Sequence, residues 1–189
     1  VAMGSSRANS AIVHAGFDAE SDTLKAKLNV RGSQMMEQVA KDLGVSYRRN
    51  GSLVIGFDEG DMDVIQALYE RGVKNGVEGL EIIGKERLRE LEPHISDKAV
   101  GALHAPTGAI ICPYDLTISA VGNAMDNGAE LKLNFAVEKI EWTREHFRIT
   151  SGDDMVEARY LIDAAGLYAD EVAKLVGEES FSIRPRRGE

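Results

Sequence analysis

The 189 residues carry 31 acidic and 22 basic side chains, and the net charge of −9 argues against non-specific nucleic-acid binding. With 43% hydrophobic and 28% charged residues the chain reads as soluble and globular, no apolar run reaches a membrane span, and no signal peptide opens it. Its one cysteine, Cys112, excludes an internal disulfide framework and fits a cytoplasmic setting.

Residues 1–16 are small and polar, with Arg7 embedded among hydroxyls and Asn9. The segment suits a pyrophosphate or a polar ring edge, and equally an untethered terminus. Residues 11–16 add a short apolar stretch that carries His14. Leu24, Leu28, Met35, Val39 and Leu43 recur at helical spacing, so residues 22–43 form a predicted amphipathic helix. Asp22 is its expected N-cap and Gly44 its stop. Two strand-like runs, 45–49 and 52–57, flank Asn50-Gly51, a strong hairpin signal. A second helix spans 61–75 and buries Val64, Ile65, Leu68 and Val73. Residues 79–85 come close to a phosphate-binding loop, but Glu86 stands where a metal-binding hydroxyl is needed and the interior is strand-like. A short helix over 85–91 follows, then strands at 99–104 and 109–111 around a Pro106–Gly108 turn. Pro113 opens a helix to about residue 127, capped by Asp115 and stopped at Gly128. Strands at 131–133, 135–142, 147–151 and 156–162 follow, the last three as a β-meander.

The chain is organised around residues 158–177, ARYLIDAAGLYADEVAKLVG. Tyr160, Leu161 and Ile162 suit a buried strand, and Asp163, Ala164, Ala165 and Gly166 a tight turn. A helix carrying Val172, Leu175 and Val176 then stops at Gly177. Ala164-x-Gly166-x-x-Ala169 is a softened glycine-rich fingerprint: it serves either close strand–helix packing or an approach to a phosphate at a helix N-terminus. No acidic ribose ligand follows about twenty residues on, so this is not a primary dinucleotide motif. His14, His94, His104 and His146 are scattered and form no metal-ligand spacing with Cys112, so no metal site is expected. G-x-S-x-G is absent, which removes support for a hydrolase elbow.

SSRANSAIVHAGFD at residues 5–18, LKAKLNVRGSQMMEQVAKDLGV, GAIICPYDLT, FAVEKIE at 135–141, LIDAAGLYAD at 161–170 and RPRRGE occur in that order. Together they resemble FAD-dependent oxidoreductases of the D-amino-acid oxidase superfamily, and within it glycerol-3-phosphate and L-2-hydroxyglutarate dehydrogenases. The resemblance implies a mixed α/β (α+β) chain: part of an FAD-binding, Rossmann-like domain with a β-meander, plus part of a β-sheet substrate lobe. It assigns residues 1–44 and 108–178 to the FAD-binding part, 45–107 to the substrate lobe, and 179–189 to the return toward that lobe. By the same resemblance Ser5, Ser6, Arg7, Asn9 and Ser10 line the flavin and pyrophosphate. Val137 faces the adenine through its backbone, while Ala164, Ala165 and Gly166 approach the pyrophosphate and ribitol. His14 is implied as the base that takes a substrate hydroxyl proton while hydride leaves the adjacent carbon for the flavin. Arg48 and Arg49 are expected to be surface charges.

The family pattern begins with a strand, G-x-G-x-x-G and an acidic ribose ligand, none of which is in this chain. The expected role is therefore an internal region of a flavin-dependent dehydrogenase or oxidase acting on a small 2-hydroxy acid or glycerol 3-phosphate. The resemblance leaves the electron acceptor open. An amine or amino-acid oxidase of the same superfamily, and a non-catalytic module that lost its cofactor, are the rival readings. The isolated chain is expected to bind FAD poorly and to be catalytically silent. Without a parallel neighbour, residues 161–162 would leave an exposed sheet edge, which predicts homo-oligomers.

Overall fold

The computed structural model describes residues 1–185. They fall into two compact units, Ala2–Asp126 and one that begins at Asn127. The first unit runs β1 (Ile12–Val13), α1 (Leu24–Asp42), β2 (Tyr47–Arg48), β3 (Ser52–Gly56), α2 (Glu59–Asn75), β4 (Glu81–Gly84), α3 (Lys85–Leu91), β5 (Gly101–Ala105), β6 (Ala109–Ile111) and α4 (Pro113–Asp126). The second holds β7 (Lys139–Trp142), β8 (Phe147–Ser151), β9 (Asp154–Ala158), a 3₁₀ turn at Gly166–Tyr168 and α5 (Ala169–Lys174). Mixed helix and strand content is as expected. Every strand pairing among the described residues is antiparallel.

In the first unit a small sheet has the order β1-β6-β2. Val13, Ala109 and Ile111 pack there with Ala40 and Val45, and Met36 and Leu43 lean on the cluster. The helix therefore meets the sheet through a residue as short as Ala40, which lets the two backbones approach. The predicted apolar face of α1 is largely open instead: Leu24 is 75% and Leu28 60% exposed. Its N-cap also differs from expectation. Thr23 Oγ1 accepts from Ala26 N at 3.2 Å, while Asp22 adopts φ 66 and its carboxylate meets Lys74 Nζ at 2.6 Å. Gly44, at φ +66, ends the helix as predicted.

Asn50-Gly51 does not make a hairpin. β2 pairs with β6, whereas β3 pairs with β5, so the dipeptide carries the chain from one sheet to the other. A two-residue type I′ turn needs positive φ at both central residues, and of these two only Gly51 has it. Gly51 N donates instead to Gly108 O at 2.8 Å.

The second sheet has the order β3-β5-β4. Ala102, Ile55 and Ile83 share one face by register, and that face packs against Leu88 of α3. The alternate residues Gly101, Leu103 and Ala105 lie on the other face. A Cβ on Gly56 would come within 3.1 Å of Ile65 Cδ1 and 2.8 Å of Met62 Sδ, so glycine lets α2 close on this side. Ile65 is buried as predicted, but Val64 and Val73 are exposed. Asp58 Oδ1 caps α2 by accepting from Asp61 N at 2.9 Å, and Gly76 closes it at φ 85. Within residues 79–85 the strand β4 forms, and Lys85 Nζ donates to Asp97 O at 2.6 Å. In α4, Asp115 sits inside the first turn and is not the cap, because Pro113 already starts the helix; Gly128 follows at φ +91.

The second unit contains the predicted meander, ordered β7-β8-β9. Ile140, Ile149 and Val156 are in register, and the Trp142 and Phe147 rings lie 4.8 Å apart. Its outer strands are shorter than expected, since β7 begins at Lys139 and β9 runs Asp154–Ala158, and the separate strand expected at residues 131–133 does not form. Residues 160–162 are not a strand either: Tyr160 is 85% and Ile162 86% exposed. A strand exists only by hydrogen bonding to a neighbour, and among the described residues none lies beside it. Residues 161–162 thus do not form the expected strand. The assignment of residues 179–189 falls partly outside the described residues.

On the meander, Arg148 donates to Glu157 Oε1 through Nε at 3.1 Å and Nη2 at 3.0 Å, and His146 Nε2 lies 3.1 Å from the same oxygen. Arg148, then His146, hold this carboxyl below the usual carboxylate range. Replacing Arg148 by alanine is expected to raise the Glu157 titration midpoint toward its ordinary value, as read by NMR. A depressed folded-state value favours folding above the unfolded-state midpoint near 4.3, and that contribution is lost as pH falls through the folded value. The group is solvent-exposed, so the titration shift, not stability, is the measurement that reports it.

Candidate functional site

His14 immediately follows β1, whose last register pair is Val13 with Ala109. It has left the ladder, and its side chain is exposed. Its carbonyl accepts from Asn29 Nδ2 of α1 at 3.1 Å. Two residues on, Gly16 adopts φ +112, and a Cβ there would come within 2.5 Å of Val30 Cγ2. Asn75 Nδ2, at the end of α2, donates to Gly16 O at 3.0 Å and to Ala19 O at 2.8 Å. The His14 segment is therefore fastened from both helices.

His14 and Asn29 both wall two cavities. One of about 380 Å³ also takes in Asn9, Gly32, Ser33 and Leu116. The other, of about 220 Å³, includes Gly16, Phe17, Asp18 and Lys25. A Cβ built on Gly32 would meet nothing within 4 Å, so the glycine leaves open space on this side of α1. Both lie within the first unit.

Of the other predicted residues in this unit, Asn9 shares the larger cavity with His14. Its amide is committed internally: Nδ2 donates to Ser5 O at 3.0 Å and Ser6 O at 3.3 Å, and Oδ1 accepts from Ala11 N at 2.9 Å. That bond holds Ala11 at φ 62, a conformation that costs an alanine about 1–2 kcal/mol. Asn9 thus shapes the loop that displays Ser5, Ser6, Arg7 and Ser10. Ser5, Ser6, Arg7 and Ser10 do not line the two cavities around His14. Arg7 Nη1 approaches only Met3 Sδ, at 3.8 Å, and pairs with no carboxylate among the described residues. A charged fork and three hydroxyls on an exposed loop are a donor set that fits phosphate oxygens.

Within the second unit, Val137 is half-buried in the extended lead to β7. Ala164, Ala165 and Gly166 form an exposed turn, with Asp163 Oδ1 accepting from Ala165 N at 3.0 Å. Gly166 adopts φ +61, and the space its Cβ would occupy is empty. An uncrowded turn of minimal side chains fits a group that must approach the backbone closely. The expected helix N-terminus is weak here, because a 3₁₀ turn intervenes and α5 has only 6 residues. Taken unit by unit, the residues present fit parts of FAD: open loop donors in the first unit and a bare turn in the second. Asn29 and Asn75 escaped the sequence reading. The available signal was a side-chain amide inside or closing a helix, where asparagine is a poor helix former.

The chain belongs to the DAO family, FAD dependent oxidoreductase, whose family model matches residues 1–189. A glycerol 3-phosphate dehydrogenase of Caloramator mitchellensis is 43% identical over 183 residues, which cover 97% of this chain and 38% of that protein. The mitochondrial L-2-hydroxyglutarate dehydrogenase of Bos taurus is 31% identical over 195 residues, 96% of this chain and 42% of its own length. Among solved structures, the FAD-bound L-alpha-glycerophosphate oxidase of Mycoplasma pneumoniae superposes with a TM-score of 0.85 at 26% identity, covering 93% of this chain and 47% of that one. The chain spans about 40% of the length of the two dehydrogenases it matches.

Proposed function

We propose that these residues work within a flavin-dependent dehydrogenase that oxidises the CH–OH carbon of a small anionic alcohol, with FAD as hydride acceptor. The observation that carries this reading is the 43% identity to a glycerol 3-phosphate dehydrogenase across 97% of the chain. Glycerol 3-phosphate is accordingly the first substrate to test, and L-2-hydroxyglutarate the second. His14 acts as the base, since it is exposed at the meeting of two cavities and its segment is anchored by both α1 and α2. Ser5, Ser6, Arg7 and Ser10 contact the cofactor's polar groups, Asn9 holds their loop, and Val137 faces the adenine. Ala164, Ala165 and Gly166 accept the close approach of the pyrophosphate. In this reading residues 1–44 and 108–178 serve the cofactor in a Rossmann-like domain, and 45–107 the substrate. The lone cysteine, Cys112, supports a cytoplasmic setting. FAD supplies the electron sink when bound; these residues supply orientation and the proton acceptor.

The test is a substrate panel on the whole flavoprotein, with dye reduction as readout. Glycerol 3-phosphate or L-2-hydroxyglutarate should give turnover and amino acids none. Turnover with amino acids alone would replace this reading with an amino-acid oxidase.

A further inference from the structure

Resting on the reading of His14 as the base, we propose that Asn29 is its positioning residue. The bond that motivates this runs from Asn29 Nδ2 to the carbonyl oxygen of His14 at 3.1 Å. A carbonyl only accepts, so the amide must present its NH₂ end, and that leaves its orientation unambiguous. His14 lies just past the end of the β1 ladder and just before Gly16, which packs against Val30 and accepts from Asn75. The backbone is thus held before and after His14 by other means, while Asn29 holds His14 itself.

The placement is costly on local grounds. Asparagine is a weak helix former, Asn29 lies in the second turn of α1, and it makes no capping bond there. What it gains is a link across 15 residues of chain to the carbonyl of the proposed base. It also walls both cavities that His14 walls, so a shift of the His14 backbone would move the imidazole relative to both. A displacement near 1 Å at a reacting group can cost on the order of a hundredfold in rate.

A double-mutant cycle in the complete flavoenzyme tests the assignment. Asn29→Asp keeps the shape, removes the donor and sets an acceptor against the His14 carbonyl. It should slow the limiting rate of flavin reduction by roughly ten- to a hundredfold, with KM changed much less. In a His14→Ala background the same substitution should change the rate by no more than about twofold. Asn29→Gln, whose longer side chain still donates, should recover part of the rate. Equal slowing by Asn29→Asp in both backgrounds would assign Asn29 a structural role and leave His14 as the base. An unchanged rate for Asn29→Asp with His14 intact would likewise remove Asn29. His14→Ala without effect would overturn the base reading and the Asn29 proposal together. Should Asn29→Asp fail to fold, Asn29→Ala enters the same cycle, because it deletes the donor without adding the acceptor clash.

Discussion

Truncating Leu103 to alanine is expected to lower the unfolding free energy by about 2–5 kcal/mol. Leu103 is 0% exposed in the middle of β5, the central strand of its sheet, in register with Val54 and Ile82. Removing its branched end strips apolar area from the interior and leaves a cavity, since strands on both sides prevent collapse. Leu24→Ala is the matched control: Leu24 is 75% exposed, so its truncation should change stability by no more than about 0.5 kcal/mol. Denaturant unfolding followed by circular dichroism measures both. Equal losses for the two variants would contradict the placement of the core between α2 and this sheet.

Replacing His14 by alanine in the whole protein is expected to slow substrate-driven flavin reduction by roughly 10²–10⁴-fold, the usual range for losing a positioned general base. Flavin content should stay near its original level, because His14 is proposed to face the substrate and not the phosphates. Anaerobic stopped-flow mixing separates the reductive step from re-oxidation by any acceptor. Unchanged reduction kinetics would take His14 out of the site.

Local signals were legible wherever they were also sufficient. Gly44 and Gly128 mark helix ends through positive φ, and the structure ends α1 and α4 accordingly. Three strand-like runs at 135–142, 147–151 and 156–162 with short polar turns announced the meander, because its strands pair only with sequence neighbours. Asn50-Gly51 misled because positive φ at Gly51 is a local fact, whereas the partner of β3 is chosen by apolar residues some fifty positions away. Leu24 and Leu28 misled in another way. Their spacing announces a face, yet Ala40 lets the helix approach the sheet closely, so burial went to the smaller side chain. Tyr160 and Ile162 have strand character without a strand to join. His14 is proposed as the base on the family resemblance of residues 5–18, and its own spacing would not single it out. Nor was the tether from Asn29 legible, because it joins a helix to a loop through one side-chain amide and leaves no periodic trace.

The most direct measurement is the absorbance spectrum of the purified whole protein during anaerobic titration with glycerol 3-phosphate and then L-2-hydroxyglutarate. The account predicts a bound flavin whose yellow absorbance bleaches with one of these two alcohols in proportion to the flavin present. A protein without flavin, or a flavin that neither alcohol bleaches, would contradict it.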